Sequence, residues 1–94
     1  MRFEWDDEKA ETNLEKHGVS FGEATEVFYD PHALEGYDAE HSIDESRFFI
    51  IGLSSRRLLY VVYAERLENT VRIISARRAM TKEQEEYERT AKDG

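Results

Sequence analysis

Apolar residues are densest in three runs in the second half of the chain, each ended by polar turn residues. Leu58 to Arg66 is the longest. Its unbroken start, Leu58-Leu59-Tyr60-Val61-Val62-Tyr63-Ala64, predicts a strand buried on both faces. Arg47 to Ser54, rich in Phe and Ile, precedes it across the tight turn Ser54-Ser55-Arg56-Arg57. Val71 to Arg78 follows across Glu68-Asn69-Thr70 and carries the β-branched Val71, Ile73 and Ile74. Short turns between three strands predict an antiparallel meander. With regular alternation, Ile73, Ser75 and Arg77 share one face of the last strand, and Arg72, Ile74 and Ala76 share the other.

The first half has helical periodicity. Phe3-Glu4-Trp5 reads as a short strand, after which Asp6 or Asp7 caps a helix running to His17. Trp5, Ala10, Leu14 and His17 form its apolar stripe, and Gly18 is its left-handed C-terminal residue. Val19-Ser20-Phe21-Gly22-Glu23-Ala24 is a capping box that opens a second helix, which buries Phe21, Ala24 and Phe28 and stops at Asp30-Pro31. His32 to Tyr37 reads as an edge strand, and Asp38 to Ser46 as an acidic loop. Thr81-x-x-Gln84 caps a last, highly charged helix, and Lys92-Asp93-Gly94 frays. The expected architecture is α+β in a single domain over residues 1–94. Two N-terminal helices pack on a small antiparallel sheet, a C-terminal helix follows, and part of one sheet face stays open.

Composition narrows the function classes. No cysteine is present, so a disulfide framework and a cysteine metal site are excluded, and the chain suits a reducing cytoplasm. The N-terminus lacks the apolar core of a signal peptide, and no stretch is long enough to span a membrane. The net charge of −8 is unevenly spread. Residues 47–78 hold seven arginines, no lysine, and only Glu65 and Glu68 as acids, a net of +5. The remainder holds 6 basic and 19 acidic residues, a net of −13. A basic sheet sits in an acidic frame.

Guanidinium groups bind phosphate through paired N–H donors. The three histidines are scattered without metal-ligand spacing, and no glycine-rich phosphate loop or nucleophile elbow occurs. What remains is an arginine-rich sheet with His17, His41, Glu45, Tyr60, Tyr63 and Tyr87 as partners. Such a set suits phosphodiester cleavage without a metal: arginines stabilise charge on the phosphate, a His or Glu moves protons, and the ribose 2′-hydroxyl is the internal nucleophile. The same residues also suit a domain whose arginines merely rim a sheet and whose acids are solvated helix faces.

Several separated motifs agree with one family. Phe3-Glu4-Trp5-Asp6, Lys9-Ala10, Asn13-Leu14, Lys16-His17-Gly18-Val19-Ser20-Phe21, Glu45-x-Arg47, Gly52-x-Ser54, Leu58-Leu59, Val61-Val62-Tyr63 and Arg72-Ile73-Ile74-Ser75-Ala76-Arg77 resemble the BrnT-type toxins. The likeness runs in order through Tyr87 and covers nearly the whole chain. It implies a RelE-like fold, endoribonuclease activity without a metal or other cofactor, and neutralisation by a BrnA-type ribbon-helix-helix antitoxin. Operator DNA would then be bound only through the antitoxin. By the same resemblance Arg77, Arg47, His17, Glu45 and Tyr87 are the candidate catalytic residues. Arg77 and Arg47 hold the phosphate, His17 or Glu45 is the base, and Tyr87 supports the leaving group or stacks on a base. Arg56, Arg57, Arg72 and Tyr63 are candidate RNA contacts. The alternative is a catalytically weak, toxin-like binding module that acts through its antitoxin in transcriptional autorepression. A third reading is an acidic interaction domain unrelated to RNA.

Overall fold

The long apolar run forms the middle strand of a five-stranded sheet with spatial order β1-β5-β4-β3-β2. The computed structural model describes residues 1–93, without the side chains of His41 and Asp93; Gly94 lies outside the described residues. Strands β3 (Phe48–Leu53), β4 (Leu58–Arg66) and β5 (Thr70–Arg78) form the expected antiparallel meander. β2 (Leu34–Tyr37) joins β3 as the antiparallel edge. β1 (Arg2–Glu4) pairs in parallel with the start of β5, so the sheet is mixed. Glu68 and Asn69 both take positive φ in the β4–β5 turn.

Helix α1 (Asp7–His17) starts on the Asp6 carboxylate, which accepts from Lys9 N–H, and ends on Gly18 at φ 69°. Helix α2 (Phe21–Glu26) starts on Ser20 and runs into a 3-10 turn, Val27–Tyr29. The capping box is half formed. Ser20 Oγ accepts from Glu23 N–H at 3.0 Å, but the Glu23 carboxylate turns instead to Arg57 and Ser54. Helix α3 is Thr81–Asp93. Its cap lies one residue earlier than Thr81-x-x-Gln84: Met80 N–H donates to Glu83 Oε1, and Met80 O accepts from Gln84 N–H.

The core lies between α1 and α2 and one face of the sheet, where Val19, Phe21, Ala24 and Val27 meet Ile50, Leu59, Val61, Tyr63, Ile73 and Ala76. Each large side chain fully buried there contributes about 1.5–3 kcal/mol. On α1 the expected stripe is displaced. Leu14 is 51% exposed, while the polar Asn13 is buried at 7%. Asn13 can be buried because its amide is fully used: Nδ2 donates to Val19 O and Ala76 O, and Oδ1 accepts from Ala76 N–H.

The expected face assignment of the last strand is also overturned. Tyr63 pairs with Ile73 but Val62 pairs with Ser75, so Ile74 is an extra residue in a β-bulge. Past the bulge the alternation is reset. Ile73 and Ala76 both point into the core, and Arg72, Ser75 and Arg77 share the opposite face.

Candidate functional site on the sheet

The face opposite α1 and α2 is apolar and buried at its centre, where Ile51, Val62 and Ala64 lie, and Arg72, Ser75 and Arg77 of β5 are half-buried beside them. Near the C-terminal end of β5, the Arg77 guanidinium lies 4.2 Å above the Tyr60 ring. Tyr60 in turn stacks on Phe49, with ring centroids 5.4 Å apart and planes 8° from parallel. Phe49 packs over Gly36 of β2, where a Cβ would come within 2.5 Å of the ring. A row of flat groups therefore crosses the sheet. Burial pushes the Tyr60 hydroxyl pKa up. Asp38, Glu83 and Glu40 add to the effect and Arg77 opposes it.

Glu83, in the first turn of α3, grips Arg77 with both oxygens: Nη1 to Oε1 and Nη2 to Oε2 are each 2.8 Å. The bond to Glu83 raises the Arg77 pKa despite its burial. Burial works against the Glu83 carboxylate, but the bonds from Arg77 and Met80 N–H outweigh it and hold its pKa below the ordinary value. Further along the face, Arg72 bonds Glu4 at 3.0 Å, and Arg66 lies 4.0 Å from Glu4 and 3.4 Å from Glu45.

These facts locate the candidate residues. Arg77 is half-buried on the face opposite α1 and α2. The β2–β3 ladder continues past Phe48 through a bond from Asp38 N–H to Arg47 O, and alternation assigns Arg47 to the same side as Phe49. Arg47 Nε is buried and has no hydrogen-bond partner among the described residues. Glu45 pairs with Arg66, opposite Thr70, whereas Tyr60 stands opposite Arg77. The two ends are roughly 20 Å apart along the strand, so Glu45 does not share a phosphate with Arg77.

His17 lines a groove of about 440 Å³ between α1 and the edge of β5, together with Lys9, Lys16, Asn13 and Ser75. Ser75 is two residues from Arg77 on the same face, so this groove ends beside the Arg77 strand end. The side chain of His41 lies outside the described residues.

Three candidates are engaged elsewhere. Tyr87 is 7% exposed and donates to Asp30 Oδ2 at 2.6 Å. Burial and the Asp30 carboxylate push its pKa up to about 12. Tyr63 is in the core, with its ring against Phe28 and Phe48, and burial pushes its pKa up to about 12. Arg57 is clamped by Glu23 and Gly18 O. Its neighbour Arg56 is largely exposed, 3.8 Å from the same carboxylate. Two contributors escaped sequence reasoning, Phe49 and Glu83. For Glu83 the signal was its place in the first turn of a helix closely following Arg77. Among the described residues, no group of three or more His, Cys, Asp or Glu is arranged to hold a metal ion.

The family described as the ribonuclease toxin BrnT of type II toxin–antitoxin systems matches residues 5–83. Among solved structures, the chain is similar to the Brucella abortus ribonuclease toxin BrnT, determined at 1.1 Å. The TM-score is 0.67 with 23% identity, covering 86% of this chain and 99% of that one, a likeness of fold. No curated protein sequence matches the chain. A family match across most of the sequence, on an α+β fold shared with a BrnT toxin, places this chain in the BrnT family of type II ribonuclease toxins.

Proposed function

We propose that the chain cuts RNA internally, without a metal, on the sheet face that carries Arg77, and that a BrnA-type antitoxin silences it. The observation that carries this reading is Arg77 itself: a half-buried guanidinium held over Tyr60, with Arg72 on the same face further along the strand. Arg77 binds the scissile phosphate and stabilises the charge that develops on it. Arg47 is the second cation of the face. His17, entering from the α1–β5 groove, takes the proton from the ribose 2′-hydroxyl, which attacks the adjacent phosphorus. The attack forms a 2′,3′-cyclic phosphate and expels the 5′-oxygen of the next nucleotide, which takes up a proton. The internal nucleophile and the guanidinium charge remove the need for a metal-bound water. Arg72 and Arg66, paired with Glu4 and Glu45 at the other end of the strand, contact RNA by exchanging those partners for phosphates. Glu45, bonded to Arg66 at the far end, is the weaker choice of base.

The test is purified chain with RNA in excess chelator, alone and with antitoxin. Cleavage to a cyclic phosphate is expected. It should be lost when the nucleotide 5′ to the cut lacks its 2′-hydroxyl, and it should fall by about two to four orders of magnitude in His17→Ala. Cleavage that chelator abolishes would overturn the metal-free reaction. A folded chain that arrests no growth without its antitoxin would instead support a binding module acting in autorepression.

A further inference from the structure

We infer that Glu83 is a positioning residue for Arg77, orienting the guanidinium so that its Nε–Nη2 edge faces the RNA phosphate; this rests on the function proposed above. A guanidinium has two edges able to grip an oxyanion with parallel bonds, the end-on Nη1–Nη2 pair and the side-on Nε–Nη2 pair. Glu83 fills the end-on pair at 2.8 Å and 2.8 Å, and the other Nη1 hydrogen reaches Arg78 O at 3.1 Å. Nε–H and the remaining Nη2 hydrogen have no partner among the described residues. They form the side-on pair.

The clamp is itself fixed. Glu83 Oε1 also accepts from Met80 N–H at 2.8 Å, which ties the carboxylate to the start of α3. Tyr60 supports the guanidinium from below. Arg77 is thus held by a carboxylate, a carbonyl and a ring, with one binding edge left over.

The two effects of Glu83 on catalysis have opposite signs. Its negative charge weakens the attraction of RNA, whereas its grip keeps Arg77 aligned for the transition state. Glu83→Ala should therefore lower kcat by about a hundredfold, the cost of a small misplacement, while KM stays level or falls. Glu83→Gln keeps one acceptor oxygen for Nη1 and Met80 N–H but turns an N–H donor toward Nη2, so kcat should fall with it too, by less than in Glu83→Ala. On an Arg77→Ala background, Glu83→Ala should have no further effect. A merely structural role would lower kcat by the unfolded fraction, leave KM unchanged, and persist without Arg77.

A second readout needs no cleavage. In wild-type protein the Arg77 Nε–H resonance should be resolved by nitrogen–proton NMR and shift on titration with inorganic phosphate. In Glu83→Gln it should broaden or lose its phosphate response. If wild-type protein binds phosphate at Arg77 yet cuts no RNA, the proposed function fails and the positioning role stands. Faster cleavage by Glu83→Ala or Glu83→Gln would make Glu83 a competitor of the phosphate and overturn the inference. An Arg77 resonance and phosphate response unchanged by Glu83→Gln would overturn it as well.

Discussion

The Asn13 side chain stands in for a neighbouring strand at Ala76: its Oδ1 accepts from Ala76 N–H at 3.1 Å and its Nδ2 donates to Ala76 O at 2.8 Å. β1 pairs only with the first three residues of β5, so the edge beyond it has no strand partner at Ala76. An amide carries one donor group and one acceptor at a spacing that matches a peptide unit. It satisfies the strand edge and docks α1 in one contact, next to Ser75 and Arg77. Asn13→Ala should cost about 2–4 kcal/mol, because the buried N–H and C=O of Ala76 are left unpaired. Asn13→Asp should be at least as costly, since it loses the donor and buries a charge. Urea unfolding of both variants checks this.

Glu23 gives the protein an acid-sensitive contact. The bidentate bond from Arg57 is the main cause of its lowered pKa; burial opposes the shift, while Ser54 and the charges of Arg57 and Arg56 reinforce it. A carboxylate whose folded pKa is depressed adds stability that is present above the unfolded value of about 4.5 and lost as pH falls through the lower folded value. Wild-type stability should therefore drop with acid below that value, and Glu23→Gln should flatten the curve. Denaturation midpoints from pH 7 downward measure it.

Tyr87 should prove structural. Tyr87→Phe should cost about 1–2 kcal/mol by removing a hydrogen bond to the Asp30 carboxylate, and it should leave RNA cleavage per folded molecule unchanged. The pKa of Tyr87, raised to about 12, makes the opposite pH statement to Glu23. Its contribution is fully present below the ordinary value of 10 and lost as pH rises toward 12. Alkaline unfolding followed by circular dichroism should begin earlier in wild type, relative to its own neutral-pH stability, than in Tyr87→Phe.

Gly36→Ala should damage the row of flat groups from a distance. The new Cβ would meet Phe49 Cε2 and Cζ at 2.5 Å, so the ring must move and Tyr60 loses its stacking partner. A loss of about 1–3 kcal/mol is expected from overpacking, with a fall in kcat wherever Arg77 follows Tyr60. Thermal melts and single-turnover cleavage, run on the same preparation, separate the two effects.

Association with the antitoxin should be salt-dependent. The exposed acids on α1 and α3, among them Asp7, Glu8, Glu11, Glu15, Glu85 and Glu88, present a negative surface well beyond what solubility requires. A basic partner segment would be steered by it, so the association rate should fall steeply with added salt while dissociation changes less. Stopped-flow association at several ionic strengths decides the point. A flat response would mean that the acids are solvated helix faces.

By itself the sequence determined the elements that depend on neighbours along the chain. The meander, the two N-terminal helices, Gly18 as a left-handed end and Ser20 as a cap all rest on local periodicity and local hydrogen bonding, which near residues decide. The family was legible for a similar reason, since its motifs are short and occur in order. Only tertiary structure decided which residues share a surface. One inserted residue, Ile74, reverses the alternation of β5 and brings Arg72 and Arg77 to one face, because a strand has period two and any extra residue flips everything beyond it. Long-range partners likewise chose between roles that residue type left open. Asn13 is buried because Ala76 needs an edge partner, Tyr63 is core because Phe28 and Phe48 flank it, and Glu83 reaches Arg77 because α3 begins beside the last strand. None of these depends on spacing alone, since each is a contact between elements whose packing is settled by the whole core.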